Sequence, residues 1–474
     1  MWLYWWMGTH HEAGMPADSG AMHRPGADMA EHVRRIAEVA TNRLLQPPRL
    51  GAPRTMDELL ATVGATITAD GLGADEALRL WTDHLAPACI AVDHPGYLAF
   101  VPGAPTQLAA AFDMVVSTAS ISAGSWLEGS GAAFAENAAL RWVADLAGFP
   151  ESAGGTFVPG GTAGNLSALV AARQRARQRR TVPPERWAIC VTEETHSSVA
   201  HLARSVMDVD VVVVPGDARG RLTGDALRRT VDELSPRQRD GVFAVVATAG
   251  CTNLGVVDDI AGVADVAQQH DWWLHIDGAY GGAGLAAPSV RHLYAGIERA
   301  DSFMVNPHKW LFAPFDSCAL VYRDPAGART AHSQHADYLD AVNAHDEWNP
   351  ADYGVHLSRR ARGLALWFSL AAHGSNAYRD AIEQSITVTR EAAALIRAAN
   401  HVELLVEPDL SVLVFTRHGW GQAEYDTWAE RLLRDQRAFV APTHHRGLPC
   451  ARLAIVNPLT TTADIGDIID TMRH

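Results

Sequence analysis

A chain of 474 residues is too long for one compact core, so two or three folded units are expected. Hydrophobic residues make up 48% of the sequence and charged residues 20%, while the 39 Gly and 24 Pro are scattered, which excludes fibrous and disordered proteins. Acidic residues outnumber basic residues by 54 to 39. This surplus argues against nucleic acid or an anionic membrane as the main partner, because both require clustered Lys and Arg.

Residues 1–28 are predicted to be disordered. The aromatic start of the chain lacks the basic residues and the long apolar run of a secretory signal. No other apolar run approaches the ~18–20 residues of a membrane span. The cysteines are odd in number and show no CxxC spacing, which predicts free thiols in a reducing compartment, the cytoplasm. These cysteines are Cys89, Cys190, Cys251, Cys318 and Cys450.

A helical N-terminal arm is predicted over residues 29–105. Its apolar periodicity favours helices at about 29–45, 56–68 and 74–85. Arms this apolar usually pack on a partner, so we expect this one to do the same.

A large domain is predicted over residues 106–358. Helices at about 107–120 and 131–146 precede an alternation of apolar strands and helices. The strands are expected at 187–191, 209–214, 242–247, 272–276, 302–305 and 319–322. Because they are almost continuously apolar, they predict an α/β domain whose mainly parallel sheet is covered by helices on both faces. Functional sites in such a sheet lie at the carboxyl ends of the strands.

A smaller α+β domain is predicted over residues 359–474. A long helical region at 360–399 is followed by strands near 402–405, 412–415 and 453–455, with helices between them. We expect Arg359, Arg360 and Arg362 to anchor this domain, and contact with a substrate carboxylate is the alternative.

The sequence contains a single lysine, Lys309, beside 38 arginines. Arg can serve in ion pairs and phosphate contacts, but its guanidinium cannot form a Schiff base, whereas a desolvated Lys amine can. Lys309 lies in the segment 306–310 (NPHKW), directly after a short apolar run that is typical of the end of a buried strand. This position favours a reactive lysine over a surface lysine kept by chance.

Three further motifs fall where such a sheet would place a site. Residues 160–165 (GGTAGN) precede a helix, where glycines let backbone N–H groups approach a phosphate, and a plain helix cap is the alternative. Asp277 ends a buried strand, where a carboxylate requires a cationic partner, either a ligand or a structural arginine. His196 follows another strand and either stacks on a planar ligand or belongs to a helix-capping loop.

Together these motifs describe a pyridoxal 5′-phosphate (PLP) site, and the chain resembles the group II PLP-dependent amino-acid decarboxylases of fold type I. This family includes the aromatic-L-amino-acid and glutamate decarboxylases. The resemblance extends from about residue 93 to the C-terminus, and the segment 306–310 (NPHKW) carries it most strongly. It implies the PLP-dependent transferase fold and an enzyme that converts an L-amino acid to its amine and carbon dioxide.

The resemblance also implies a role for each motif. Lys309 would form the imine with the cofactor, Asp277 would pair with its pyridinium nitrogen, and His196 would stack over its ring. Tyr338, on a loop before the C-terminal domain, would be a catalytic residue, and in a homodimer with active sites at the interface it would serve the neighbouring site. The other implied cofactor-binding residues are Gly161, Thr162, Ala163, Thr248, Cys251, Asn306 and His308, with Thr162, Ala163 and Asn306 at the phosphate.

The implied substrate pocket favours an amino acid with an aromatic or other apolar side chain. Its residues are Tyr97, Phe100, Val101 and Trp126. The sequence departs from the family pattern at three positions. Gly124 stands where aromatic decarboxylases carry Phe, Cys251 where a Thr is usual, and Gly278 where Ala usually follows the Asp.

Other activities are compatible with the same residues. The site could run oxidative decarboxylation to an aldehyde, transamination or retro-aldol cleavage, or belong to a non-catalytic PLP-binding protein. Tyr338 favours simple decarboxylation, because a phenol on a closing loop can protonate the substrate carbon after carbon dioxide leaves. No metal site is expected.

Overall fold

The computed structural model describes residues 21–24, 26–101, 103–340 and 347–473. The predicted disorder of residues 1–28 therefore falls mostly outside the described residues. The chain divides into two units. The first contains the residues up to Gln46 together with Arg54–Pro87, and the second contains Pro47–Pro53 and all residues from Ala88 onward.

The first unit is helical, as predicted. Its helices are α1 (Ala27–Leu45), α2 (Met56–Val63) and α3 (Ala74–Leu80), the last continued by a π-helical turn at Trp81–Leu85. Thr55 and Glu58 form a capping box that starts α2, and Gly64 ends it at φ 69°, which is short of the predicted residue 68. An ion pair of 2.8 Å between Arg35 and Asp75 joins α1 to α3.

A seven-stranded sheet forms the centre of the second unit. Its strands are β1 (Gly154–Val158), β2 (Ala188–Thr192), β3 (Asp210–Val214), β4 (Val242–Thr248), β5 (Trp273–Asp277), β6 (Ser302–Val305) and β7 (Cys318–Tyr322). They lie in the order β1-β7-β6-β5-β4-β2-β3. Strands β2 to β6 pair in parallel, and β7 pairs antiparallel with both β6 and β1. The predicted mainly parallel sheet is confirmed.

Strand β1 was not expected from the sequence, because its two glycines are typical of a turn. The structure explains Gly155: a Cβ atom there would lie 1.9 Å from the carbonyl oxygen of Leu320 in β7. Only glycine allows the two antiparallel strands to approach this closely.

Helices cover both faces of the sheet, and each face has its own apolar core. The helices of this part are α4 (Gln107–Ala119), α5 (Trp126–Leu146), α6 (Gly161–Gln178), α7 (Ser197–His201), α8 (Gly224–Glu233), α9 (Pro236–Gly241), α10 (Ile260–Gln269), α11 (Pro307–Trp310) and α12 (Pro325–His332). Shorter 3-10 turns and one π-helical turn occur at Leu202–Val206, Gly281–Ala286, Arg291–Tyr294, Ile297–Arg299, Asp337–Leu339 and Pro350–Tyr353.

The C-terminal part forms a second, smaller sheet with its own core, which confirms the predicted α+β character. Its elements are α13 (Leu364–His373), α14 (Ser375–Ala398), β8 (Val402–Val406), β9 (Val412–Arg417), α15 (Gln422–Arg434), β10 (Thr443–His445), β11 (Leu448–Ala454) and α16 (Thr462–Asp470). The strands are antiparallel in the order β10-β11-β9-β8. The domain limits at residues 105/106 and 358/359 remain predictions.

The three arginines at the start of this part all pair with acids of the preceding 250 residues. Arg359 holds the buried carboxylate of Glu136 through two hydrogen bonds of 2.7 and 2.9 Å. Arg360 pairs with Asp113 at 2.8 Å, and Arg362 pairs with Asp316 at 2.9 Å. These contacts match the anchoring role that the sequence predicted. Within the described residues, no helix is both long and apolar enough to cross a membrane.

Candidate active site

The site lies where the carboxyl ends of β4, β5 and β6 meet. Thr248, Asp277 and Met304 are register neighbours on these three parallel strands. A cavity of about 130 Å³ opens at this edge. Its lining residues are Gly161, Thr162, Asn165, His196, Ser198, Thr248, Gly250, Thr252, Asp277, Ala279, Tyr280, Met304, Asn306 and Lys309. The four predicted motifs therefore come together in one cavity.

Lys309 reaches this cavity from α11, the single helical turn that follows β6. Burial lowers the pKa of the Lys309 amine below its ordinary value, and the negative charge of Asp277 opposes that shift. Among the described residues, no carboxylate forms an ion pair with Lys309. A lowered pKa gives a larger fraction of neutral amine, the nucleophilic form of lysine.

The backbone beside Lys309 is held by the segment that follows residue 100. Gly103 donates its N–H to the carbonyl oxygen of His308 at 3.0 Å. A Cβ atom at Gly103 would lie 1.6 Å from the carbonyl oxygen of Lys309, so only glycine fits there. Thr106 also donates its N–H to the carbonyl oxygen of Phe312 at 2.9 Å.

Asp277 is 4% exposed and accepts two N–H groups. The backbone N–H of Ala279 contacts its Oδ1 at 3.0 Å, and the side-chain amide of Asn165 contacts its Oδ2 at 3.0 Å. No arginine of the described chain pairs with it, so the alternative of a structural Arg–Asp ion pair is wrong. The carboxylate keeps lone pairs for a cation in the cavity.

His196 caps the start of α7, as one interpretation expected, and it also lines the cavity, while its stacking on a planar ligand stays a prediction. Its Nδ1 accepts the backbone N–H of Ser198 at 3.3 Å, which places the ring proton on Nε2. Burial lowers the pKa of His196, while Asp277 opposes the shift. The imidazole is therefore mainly neutral at neutral pH.

The N-terminus of α6 supplies the glycine-rich wall of the cavity. A Cβ atom at Gly161 would lie 3.3 Å from Cε of Met304 and 3.4 Å from Nδ2 of Asn306. Two buried polar atoms of the lining, Oδ1 of Asn306 and Oγ1 of Thr248, lack a partner within the described chain. Buried polar atoms are normally hydrogen-bonded. This cavity therefore suits a polar ligand, and backbone N–H groups at a helix start suit a phosphate.

Three predicted cofactor-binding residues do not line the cavity. Ala163 lies one residue beyond Thr162 in α6. Cys251 is buried in the turn after β4, where burial raises the pKa of its thiol to about 12. The Nδ1 of His308 accepts the backbone N–H of Ser317 at 2.9 Å, and its ring stacks on Phe315 with 4.5 Å between centroids.

None of the four predicted substrate residues lines the cofactor cavity of its own chain. The rings of Tyr97 and Phe100 lie 5.0 and 6.0 Å from the ring of Phe439. Val101 is buried. Trp126 begins α5, and its backbone N–H donates to Oδ1 of Asn349 at 2.9 Å.

Tyr338 lies in the 3-10 turn Asp337–Leu339. Its side chain lies outside the part of the chain that the structure describes, so its catalytic role stays a prediction.

Sequence reasoning missed two residues that surround the site. Asn165 belongs to the glycine-rich motif, but only its contact with Asp277 reveals a function. Arg452 of β11 is buried and donates to the backbone oxygens of Phe100 and Thr252 at 2.8 and 2.9 Å. No acid of the described chain pairs with Arg452. The positive charge of Arg452 lowers the pKa of Lys309. In the sequence alone, an Arg in a C-terminal strand does not indicate these contacts or the effect on Lys309.

Comparison with known proteins agrees with this geometry. Residues 69–418 match the model of the pyridoxal-dependent decarboxylase conserved domain. The chain is 31% identical over 415 residues to an aromatic-L-amino-acid decarboxylase of Bacillus atrophaeus, covering 85% of this chain and 86% of that protein. It is 32% identical over 373 residues to the cysteine sulfinic acid decarboxylase of Mus musculus, covering 71% of this chain and 73% of the relative.

A solved structure shares the fold. The structure of Oryza sativa TDC with PLP and tryptamine superimposes with a TM-score of 0.86 at 22% identity, and the match covers 95% of this chain and 98% of that one. The α/β architecture of a PLP-dependent decarboxylase is thereby confirmed, and the matched domain makes the chain a PLP-dependent carboxy-lyase. The chain belongs to the family of pyridoxal-dependent amino-acid decarboxylases.

Proposed function

We propose that this enzyme removes carbon dioxide from an L-amino acid with an aromatic or other apolar side chain and releases the amine. The observation that carries the proposal is the meeting of Lys309, Asp277 and His196 around one cavity. These are an amine of lowered pKa, a carboxylate without an arginine partner and a neutral imidazole.

Lys309 is proposed to hold the cofactor covalently. PLP, when bound, supplies an aldehyde that condenses with amines and a ring that withdraws electrons from the substrate. The buried amine of Lys309 forms no ion pair with a carboxylate of the described residues, and the chain has no second lysine. Lys309 is therefore the one side chain that can bind the aldehyde and later displace the product.

Asp277 is proposed to hold the proton on the ring nitrogen. Two N–H donors keep its carboxylate in place at the end of β5. A buried carboxylate is most stable beside a cation, so it favours the protonated ring nitrogen. Thr162 and Asn306, with the N-terminus of α6, are proposed to bind the phosphate.

His196 and Tyr338 are proposed to act on the substrate side. His196 lies at the cavity wall with its Nδ1 engaged by Ser198, so its flat ring is held for stacking. Tyr338 is proposed to deliver a proton to the substrate carbon after carbon dioxide leaves, from a loop that also excludes water.

An aromatic cluster in the segment before Gly103 supports the apolar substrate. Tyr97, Phe100 and Phe439 form a ring cluster, and Phe100 is 59% exposed. The same backbone segment reaches His308 through Gly103. An apolar side chain gains free energy by covering exposed aromatic rings.

A second candidate substrate is an amino acid with an acidic side chain. Arg452 is buried without an acid partner in the described chain and contacts Thr252, which lines the cavity. An unpaired buried guanidinium favours an anionic ligand. The likeness to a cysteine sulfinic acid decarboxylase supports this alternative.

We further propose that the enzyme is a cytoplasmic homodimer with active sites at the subunit interface. Helices α4 and α5 expose large apolar side chains, among them Val115, Leu127 and Phe134, the last being 68% exposed. Such apolar surfaces usually mark an interface. Analytical ultracentrifugation of the native chain and of Phe134→Glu tests this, and we expect the variant to dissociate.

Product analysis over all proteinogenic amino acids and cysteine sulfinate tests the substrate proposal. We expect carbon dioxide and amine in equal amounts, with the highest kcat/KM for aromatic or apolar substrates. A preference for acidic substrates that Arg452→Gln abolishes would replace the first candidate by the second. Aldehyde, keto acid or retro-aldol products would replace decarboxylation to the amine. Binding of PLP without any turnover would indicate a non-catalytic protein.

A further inference from the structure

Behind Asp277, five buried side chains form one continuous chain of hydrogen bonds. Trp273 Nε1 contacts Ser302 Oγ at 2.8 Å, and Ser302 Oγ contacts His275 Nδ1 at 2.8 Å. His275 Nε2 then contacts Asn165 Oδ1 at 2.8 Å, and Asn165 Nδ2 contacts Asp277 Oδ2 at 3.0 Å. All five side chains are at most 4% exposed. We call this chain of contacts the relay.

The two ends of the relay determine the direction of three of its four hydrogen bonds, and the neutral state of His275 determines the fourth, between its Nδ1 and Ser302 Oγ. An indole N–H can only donate, and an ionised carboxylate can only accept. Asn165 therefore turns its NH2 group to Asp277, and its oxygen receives the Nε2–H of His275. The Nδ1 of His275 accepts the hydroxyl of Ser302, whose oxygen accepts the N–H of Trp273. This arrangement requires a neutral His275, and burial lowers the pKa of that imidazole.

We propose that His275 is a positioning residue for the cofactor, which acts through Asn165 to keep the carboxylate of Asp277 directed at the ring nitrogen. The inference rests on the proposed pairing of Asp277 with that nitrogen. It adds two residues, His275 and Asn165, that never touch the substrate but determine how strongly the site holds the charged ring.

Few groups stabilise the charge of Asp277. Its carboxylate has two N–H donors, Ala279 and Asn165, and no arginine partner in the described chain. The backbone donor is permanent, whereas the amide of Asn165 can rotate by half a turn at little steric cost. After rotation its oxygen would face the carboxylate, so Asp277 would lose one of its two donors and meet a repulsive oxygen instead. The Nε2–H of His275 is what opposes the rotation.

Binding of two cofactor forms to the apoenzyme tests the role of His275 without relying on turnover. The probes are PLP and its 1-deaza analogue, in which carbon replaces the ring nitrogen. The wild type is expected to bind PLP more tightly than the analogue, because only PLP can pair with Asp277. In His275→Leu this preference should fall by about tenfold, because Asn165 then loses the bond that holds it as a donor to the charged carboxylate.

Two variants of the relay and one control sharpen the test. His275→Gln should retain the preference, because a Gln amide can donate to Asn165 and accept from Ser302. Ser302→Ala should lose part of the preference for PLP, because Nδ1 of His275 then has no hydroxyl donor. The tautomer with its proton on Nδ1, which cannot donate to Asn165, then competes. The control is His332→Leu, which removes another buried imidazole, whose Nε2 donates to the backbone oxygen of Ser167 at 3.0 Å. It should leave the preference unchanged.

The outcomes separate this inference from the proposed function. An undiminished preference in His275→Leu, or in Ser302→Ala if the Leu variant does not fold, would overturn the role of His275 and leave that of Asp277 intact. A wild-type enzyme that binds both probes equally would instead overturn the pairing of Asp277 on which the proposed function rests. A selective loss in His275→Leu that His275→Gln restores would support the relay.

Discussion

Gly278 lies directly against the ring of Phe303. A Cβ atom at position 278 would come within 2.6 Å of Cε2 of Phe303 and 2.8 Å of the carbonyl oxygen of Met304. Gly278 stands where Ala usually follows the Asp in the family that the chain resembles. The structure explains it, because Phe303 fills the space that an alanine methyl group would need.

Gly278→Ala should therefore destabilise the protein by about 1–3 kcal/mol through overpacking. The free energy of unfolding in urea measures this, and Phe303→Leu in the same chain should recover part of the loss. Gly327→Ala is a matched control, because nothing lies within 4 Å of a Cβ atom there and alanine favours the helix α12. A Gly278→Ala variant as stable as the wild type would contradict the packing argument.

Borohydride reduction of the holoenzyme should attach a pyridoxyl group to Lys309. No other lysine exists, so peptide mapping gives an unambiguous answer. Lys309→Arg keeps the charge but should abolish turnover, because a guanidinium does not form the imine. A label on any other residue would refute the assignment.

The pKa of Lys309 in the apoenzyme should be lower than that of a free lysine, and lower still in Asp277→Asn. Burial disfavours the ammonium form, and the charge of Asp277 partly compensates. Because the unfolded chain binds this proton more tightly, the stability that Lys309 contributes should rise with pH between the folded and the ordinary pKa. Reductive ¹³C-methylation and an NMR titration resolve the single lysine from the N-terminal amine. An unchanged pKa in Asp277→Asn would show that the two groups do not interact.

Asp277→Asn should also lower kcat/KM, because it removes a buried charge partner of the ring nitrogen. The expected loss of transition-state stabilisation is about 3 kcal/mol. The kinetics are measured with saturating PLP, so that weaker cofactor binding does not mimic the effect. A near-normal kcat would refute the proposed role of Asp277.

Removing one partner of the buried Arg359–Glu136 pair should cost about 3–5 kcal/mol of stability. Arg359→Met leaves the carboxylate of Glu136, which is 2% exposed, without its cation. Arg434→Met is the control, because Arg434 is largely exposed and its contact with Asp435 is 3.7 Å. Urea denaturation of both variants measures the difference, and equal stabilities would contradict an anchoring role for Arg359.

Tyr338→Phe should shift the products from amine toward aldehyde, ammonia and peroxide. Without the phenol, the substrate carbon awaits its proton for longer, and dissolved oxygen can react with it. Amine, aldehyde and oxygen consumption are measured for both forms. An unchanged amine yield in the variant would refute the proton-donor role, and aldehyde from the native enzyme would refute the decarboxylase assignment.

The sequence alone determined the architecture and the cofactor. Continuous apolar runs such as 242–247 indicated a parallel sheet, because a strand without a polar face must be covered on both sides. A single Lys309 at a strand end, together with Asp277 and the glycines at 160–164, indicated the cofactor, because these residue types have few other uses in that order.

Only the tertiary structure decided which groups act on these residues. Asn165 and His275 are 110 residues apart, and Arg452 lies 200 residues from Thr252, so neither contact leaves a local pattern. The strand β1 and the exclusion of a Cβ atom at Gly155 and Gly278 likewise depend on what packs against them. Hydrophobic periodicity is a property of neighbours in the chain, whereas hydrogen-bond partners and steric limits are determined when distant segments pack together.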